Sequence, residues 1–334
     1  HANPLASSPP PPSSSPPLIP PSPPTQGVAA AELAFQNSLW YAKERRSMRS
    51  LSGTKDQDAV ADSIIWQPSV RSMLLFQKAV AEGGRSMLYE CVKLADNMQV
   101  KERTGDEKGA LVIDERLGFL TPILKGFLTE VGKEAADLGI QVYGGHGYIK
   151  DNKAEQVYRD VRIASLWEGT TQIQALDLLG RKIMLQKLKP INEHCGELYA
   201  QCRPLLFSSN AGLRSRSWSL LGHTLEWHLM TYRIAARAAS DKEWISSTSV
   251  DYLMFGGYVS LASHWLKMEA AAVNALAAGS TDEDTEFYQA KVATSAYVFE
   301  RLLPRTRAHK AGINASVSSL MDLQANSFSF DHAR

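Results

Sequence analysis

The chain has 334 residues and a net charge of +1, from 36 basic and 35 acidic side chains. That balance offers nothing to draw in a nucleic acid or an anionic membrane surface, and no apolar run approaches the length needed to span a bilayer. The three cysteines lack a CxxC pair and the eight histidines lack an HExxH, which disfavours a disulfide framework and a metal site. A reducing compartment is expected: the cytoplasm, or the mitochondrial matrix in a eukaryote.

Residues 1–26 hold eleven of the sixteen prolines, with runs of serine between them. Such a segment cannot bury enough apolar surface to offset its ordering entropy, so it is expected to be disordered and polyproline-like. It has neither the basic start and apolar core of a secretory signal nor the arginines of a transit peptide. Its PxxP pieces suit an SH3-type groove, but a plain linker is the simpler reading.

Helical periodicity dominates from residue 27 onward. The first stretch, VAAAELAFQNSLWYAKERRSMRS, repeats Leu33, Asn37, Trp40, Tyr41 and Glu44 at three-to-four spacing. A polar loop follows. Pro68 then stands at a first helical position, with Val70, Leu74, Gln77 and Ala81 on one stripe. Residues 101–109 read as a break. The long apolar-periodic helix beyond them is expected to kink at Pro122 and to end at Gly144-Gly145. After residue 162 another helix carries Ile173, Leu176, Leu179 and Ile183, and Pro190 is expected to close the unit. Three or four further helices are expected between 191 and 310, broken at Pro204, near Asp241 and at GSTDEDT, with Pro304 ending or kinking the last. No period-two alternation is bounded by hairpin turns. The fold class is all-α, in two packed helical units: residues 27–189 and 190–334.

One junction stands apart. In LWEGTTQIQ, Glu168 lies between an aromatic residue and a Gly-Thr-Thr turn at a helix start. A glutamate there is ordinarily a surface acid favoured by the helix dipole. Three neighbours point elsewhere. Trp167 is expected to wall the carboxylate from water and raise its pKa against the dipole. Gly169 allows positive φ and close approach of a ligand. Thr170, Thr171 and Gln172 present N–H groups at a helix start, which suits an anion such as pyrophosphate. A second cluster, QVYGGHGY at 141–148, has three glycines in four positions but no preceding strand, so it is not a dinucleotide fingerprint. His146 there reads as a hydrogen-bonded turn residue, and Arg159 and Asp160 of YRDVRI as a solvated helical pair.

GGHGY, YRDVRI and WEGTTQIQ, in that order and spacing, resemble the C-terminal helical domain of the acyl-CoA dehydrogenases. Upstream, YAKERRSMRSLSGTKD, WQPSVRSMLL and AEGGRSMLYECVKLADN resemble its start. Downstream, FYQAKVATSAYVFERLLPRTRAH and FSFDH resemble the extension of the longer members. The resemblance covers nearly everything after residue 27. It implies an FAD enzyme in which Glu168 is the base that removes the α-proton of an acyl-CoA thioester, while the β-hydrogen leaves as hydride. It also implies that the Glu168 backbone N–H and a flavin hydroxyl polarise the thioester carbonyl. Trp167 and Gly169 would line the acyl site, and Thr170 and Gln172 would contact FAD. Gln141, Gly144 and Gly145 would touch the FAD adenosine of a neighbouring subunit, with Arg45 reaching its pyrophosphate. A homo-oligomer follows, with electron-transfer flavoprotein as the electron acceptor.

Two domains that the family normally places ahead of this one, a helical domain and a β-domain, have no legible counterpart in the sequence. The β-domain covers the flavin ring, so this chain alone is expected to hold FAD poorly. A non-catalytic helical interaction module derived from the same family is therefore the alternative.

Overall fold

The computed structural model describes residues 23–279 and 281–328. The disorder expected of residues 1–22, and most of the terminal FSFDH, fall outside these. Among the described residues no strand forms; one isolated bridge pairs Arg46 with Ser63. Helices run in the order α1 (Pro23–Glu44), α2 (Pro68–Arg103), α3 (Glu107–Tyr143), α4 (Gly145–Tyr148), α5 (Ala154–Arg162), α6 (Thr171–Leu176), α7 (Lys189–Cys202), α8 (Ala211–Ala238), α9 (Glu243–Ala277), α10 (Asp282–Tyr297), α11 (Thr306–Asn314) and α12 (Ser318–Met321). All-α is therefore the fold class. Helix α1 begins at Pro23, so the last four residues of the Pro/Ser tract are helical rather than disordered.

The boundaries follow local chemistry. Gln67-Pro68 opens α2, whose end is turned by Gly105 at φ 75°. Asp106 then caps α3, accepting from the Gly109 N–H at 2.9 Å. Pro122 lies inside α3 and does not end it. Pro190 starts α7 rather than closing the preceding unit, where a proline costs no hydrogen bond. Around Pro304 the chain does break step, through a π-helical turn (Val298–Leu302) and a 3-10 turn (Leu303–Arg305) before α11.

Helices α1 and α3 run parallel and touch backbone to backbone. A Cβ on Gly132 would lie 2.4 Å from the Gly27 carbonyl oxygen, and one on Gly27 would lie 2.4 Å from that of Leu128. This approach explains why the stripe read from the sequence of α1 is not its buried face. Leu33 and Trp40 are 50% and 69% exposed, while the small residues Ala31, Ala34, Ser38 and Ala42 are buried against α3. Helix α2 returns antiparallel to both. Its Gln77 amide donates to the Ala135 carbonyl at 3.0 Å and to Ser38 Oγ at 3.3 Å. Here the expected stripe holds, with Leu74, Gln77 and Ala81 buried.

Helix α9 is buried along most of its length and seals the other side of α2 and α3. Trp265 Nε1 donates to the Ala79 carbonyl at 3.0 Å, and Gly257 lies flat against the Phe127 ring. One hydrophobic core takes in Phe76, Phe127, Leu178, Ile191, Trp227, Tyr252 and Trp265, so residues on both sides of position 189 share it. No described helix is long and apolar enough to cross a membrane.

Candidate active site

Glu168 lies where a 3-10 turn (Ile163–Ser165) gives way to α6. The backbone there is left-handed twice in succession, with φ of 54° at Glu168 and 93° at Gly169. For glycine that is free. For a glutamate it costs on the order of 1–2 kcal/mol, which the surroundings must offset.

Helix α3 does so from beneath. Lys125 is only 4% exposed, and its ammonium donates to the Gly169 carbonyl at 2.5 Å. One and a half turns later, Glu130 accepts from the Thr171 hydroxyl at 2.6 Å. Thr170 caps α6, its hydroxyl accepting from the Ile173 N–H at 3.4 Å. From the far side, Gln174 donates to the Glu168 carbonyl at 3.2 Å. Both carbonyls of the turn are thus tied back. The Glu168 side chain is exposed, and among the described residues nothing accepts from its backbone N–H.

The charges around the turn are ordered. Burial pushes the Lys125 ammonium below the usual lysine range, opposed by the negative charges of Glu168 and Glu130. Burial also raises the Glu130 carboxyl, but hydrogen bonds from Lys133 and Thr171, with the charges of Lys133 and Arg162, outweigh it and leave a net lowering.

One expectation needs correction, and a second meets a competing contact. Trp167 does not wall off the carboxylate. The residue is 38% exposed, and Glu168 itself is exposed. Gln172 is also not free to meet a cofactor as it stands. Its amide donates into α9, to the Ser246 carbonyl and to Ser249 Oγ, each at 3.3 Å.

The second cluster lies at the far end of α3. Gly144, at φ 60°, ends that helix with its N–H on the Gln141 carbonyl at 3.0 Å, and a side chain on Gly145 would meet open space. Gln141, Gly144 and Gly145 are all exposed. The same end holds Arg45, exposed just past α1, because Tyr41 stacks on Tyr143 with ring centroids 4.1 Å apart. His146, expected as a turn residue, lies in the one-turn helix α4, its Nδ1 3.4 Å from the Tyr41 hydroxyl. From Lys125 to Tyr143 the helix axis runs about 27 Å at 1.5 Å per residue. The structure therefore gathers Trp167, Glu168, Gly169, Thr170 and Gln172 at one place, and Arg45, Gln141, Gly144 and Gly145 at another.

As a cradle for FAD the fit is partial. The exposed strip at Gln141–Gly145, with Arg45 beside it, has room for a ligand. The Thr170–Gln172 segment has a hydroxyl committed to a cap and an amide committed to α9. Sequence reading missed Lys125, Glu130, Ser246 and Ser249. The one legible signal was a lysine inside the apolar run TPILKGFL.

Residues 25–184 match the family model described as the acyl-CoA dehydrogenase C-terminal domain, and residues 194–324 the model described as acetyl-CoA dehydrogenase C-terminal like. The chain is 36% identical to 3-methylmercaptopropionyl-CoA dehydrogenase of Ruegeria pomeroyi over 298 residues, covering 89% of this chain and 48% of that protein. It is 28% identical to a broad-specificity linear acyl-CoA dehydrogenase of Mycobacterium tuberculosis, covering 91% and 50%. The chain thus spans about half the length of these curated relatives. Among solved structures it resembles an acyl-CoA dehydrogenase from Bacillus anthracis complexed with FAD (TM-score 0.66, 19% identity, 87% of this chain and 48% of that one). It also resembles acyl-CoA oxidase 3 of Yarrowia lipolytica (TM-score 0.61, 17% identity, 94% and 47%). At those identities the likeness is one of fold.

Proposed function

Because the chain belongs to the acyl-CoA dehydrogenase family, we propose that it is the catalytic-base half of an enzyme that desaturates an acyl-CoA thioester between its α and β carbons. The observation that supports this best is the Glu168 turn. Among the described residues neither its carboxylate nor its own N–H has a hydrogen-bond partner, at a backbone conformation that glutamate does not choose, while the Glu168 and Gly169 carbonyls are tied away.

In this reading Glu168 accepts the α-proton, and its N–H donates to the thioester carbonyl, stabilising the charge that develops there as the proton leaves. The β-hydrogen would leave as hydride, for which bound FAD would supply the acceptor. Gly169 lets the thioester approach, and Trp167 supplies apolar surface beside the acyl chain. Glu168 is exposed in this chain, so the bound acyl-CoA and a flavin-covering domain supply the dry surroundings that the reaction needs. Arg45, Gln141, Gly144 and Gly145 hold the adenosine and pyrophosphate end of a neighbouring copy's FAD, which their distance from the Glu168 turn favours. Thr170 and Gln172 meet the chain's own FAD once Gln172 leaves α9. A homo-oligomer, electron-transfer flavoprotein as acceptor, and a cytoplasmic or matrix location complete the proposal.

The inward commitment of Gln172 favours one alternative, a helical interaction module that no longer turns over. Loading the chain with FAD, removing the excess by gel filtration and adding an acyl-CoA separates the two. The enzyme retains a visible flavin band that bleaches, and Glu168→Gln retains the band but bleaches at least about 10²-fold more slowly. Bleaching at an unchanged rate in that variant overturns the base assignment, and retained flavin that does not bleach with an acyl-CoA favours the module.

A further inference from the structure

Lys125 is a costly residue to place where it is. Its neighbours Ile123, Leu124, Phe127 and Leu128 are all core side chains, and lysine is seldom this buried without a counter-charge. Among the described residues its ammonium makes one hydrogen bond, to the Gly169 carbonyl. Of the two carboxylates that act on it, Glu130 is already engaged by Lys133 and the Thr171 hydroxyl. That leaves Glu168 as the charge it answers. An apolar residue would fill the same space without the desolvation cost, so packing alone does not account for the ammonium.

We propose that Lys125 is a positioning residue for Glu168: anchored in α3, it pins the Gly169 carbonyl inward and attracts the carboxylate across the turn, holding Glu168 left-handed with its N–H and side chain facing outward together. Lys125 touches neither substrate nor cofactor. The proposal rests on the reading of Glu168 as the base. It explains what that reading leaves open, namely how an exposed glutamate keeps a strained conformation before substrate arrives. Pinning the carbonyl also orients the peptide dipoles of the turn, so that N–H groups, and not carbonyl oxygens, point to where the thioester oxygen would lie.

The test uses this chain with its lysine side chains carrying a carbon-13 label at the ε position, followed by NMR across the lysine titration range. Lys125 is expected to titrate below the other lysines, and lower still in Glu168→Gln, a substitution at an exposed residue that leaves the core intact. A Lys125 signal that does not respond to Glu168→Gln overturns the proposal and leaves Lys125 a core strut, which would have no reason to sense that carboxylate. Lys125→Met adds a second reading. It keeps the volume and removes a buried charge, so helix content and the unfolding midpoint are expected to hold, while the amide resonances of Glu168, Gly169 and Thr170 move. In flavin-loaded protein its kcat is expected to fall by about 10- to 10²-fold with KM little changed, as for a displaced catalytic group. Unmoved amide resonances in a folded Lys125→Met overturn the proposal, and unchanged turnover does so too. If Glu168→Gln leaves turnover intact while Lys125 still responds to it, the base assignment falls and the electrostatic coupling stands. If Glu168→Gln abolishes turnover without moving Lys125, the positioning role alone falls.

Discussion

Glu90 joins three helices, and removing its charge should loosen the contact between them. From α2 its carboxylate accepts from Lys267 of α9 at 2.7 Å and from Arg116 of α3 at 3.0 Å, with His264 Nε2 of α9 at 3.5 Å. The group borders a cavity of about 210 Å³ that also reaches His194 and Gln201 of α7. Burial pushes the Glu90 carboxyl up, but the Lys267 hydrogen bond and the charges of His264, Lys267 and Arg116 outweigh it and hold it well below the usual range. Glu90→Gln keeps the shape, leaves Lys267 without its anion and leaves Arg116 with Glu197 alone. An exposed pair is worth up to about 1 kcal/mol and a broken buried one about 3–5, so a half-buried site should lose about 2 kcal/mol at pH 7. At roughly 2–4 °C per kcal/mol the melting temperature falls by about 4–8 °C. The loss should also depend on pH. A carboxyl with a depressed folded pKa contributes stability above its unfolded pKa, about 4.3, and loses it as pH falls through the folded value. The gap between wild type and Glu90→Gln should therefore narrow below about pH 4.3. The histidines are expected to act in the same sense: burial holds His264 and His194 below their ordinary value, so both weaken the fold as pH drops from about 6.5. Urea unfolding at pH 7 and pH 3 measures both effects. Equal stability at pH 7, or a gap that does not change with pH, refutes the reasoning.

Gly132→Ala should destabilise the bundle although alanine is the better helix former. The added Cβ meets the Gly27 backbone, which cannot swing aside as a side chain could. Overpacking of about 1–3 kcal/mol outweighs a propensity gain of about 1, so thermal unfolding should come earlier, and a higher melting temperature would show that α1 and α3 do not touch there. The thiols give an independent check on burial. Burial pushes Cys91 and Cys195 up to about 12 and Cys202 to about 11, so the folded chain should resist maleimide at pH 8 and label at three positions once unfolded. Rapid labelling of the native protein would place at least one of these helices elsewhere.

The helices were legible because their punctuation is local. Pro68 opens α2, Gly105 and Asp106 separate it from α3, and Gly144 ends α3, each acting through a few neighbouring residues. Which face of a helix is buried was legible only where large residues do the packing. On α2 they do. On α1 the approach of Gly27 to Gly132 reserves the interface for alanine and serine, and no periodicity in α1 alone announces a partner more than a hundred residues away. For the same reason Pro190 read as an end when it is a beginning. A proline at a first helical position and one just past a last look alike until the direction of the neighbouring chain is known.

The candidate site divides along the same line. The turn at Glu168-Gly169 and the helix start after it were legible because the motif is contiguous, and the left-handed backbone at Gly169 follows from the residue itself. What lets Glu168 share that conformation is, as proposed, Lys125, 44 positions before the Gly169 whose carbonyl it holds. Only the folded chain brings the two together. The expected wall of Trp167 failed because it treated a sequence neighbour as a spatial shield. At this junction Glu168 is exposed on a left-handed backbone, and the charge that acts on it from α3 is that of Lys125. If Glu168 is the base proposed above, its backbone is fixed before substrate arrives and its solvation is left to be completed from outside. That ordering suits a site whose floor is this helical bundle and whose roof belongs to another domain or another copy of the chain.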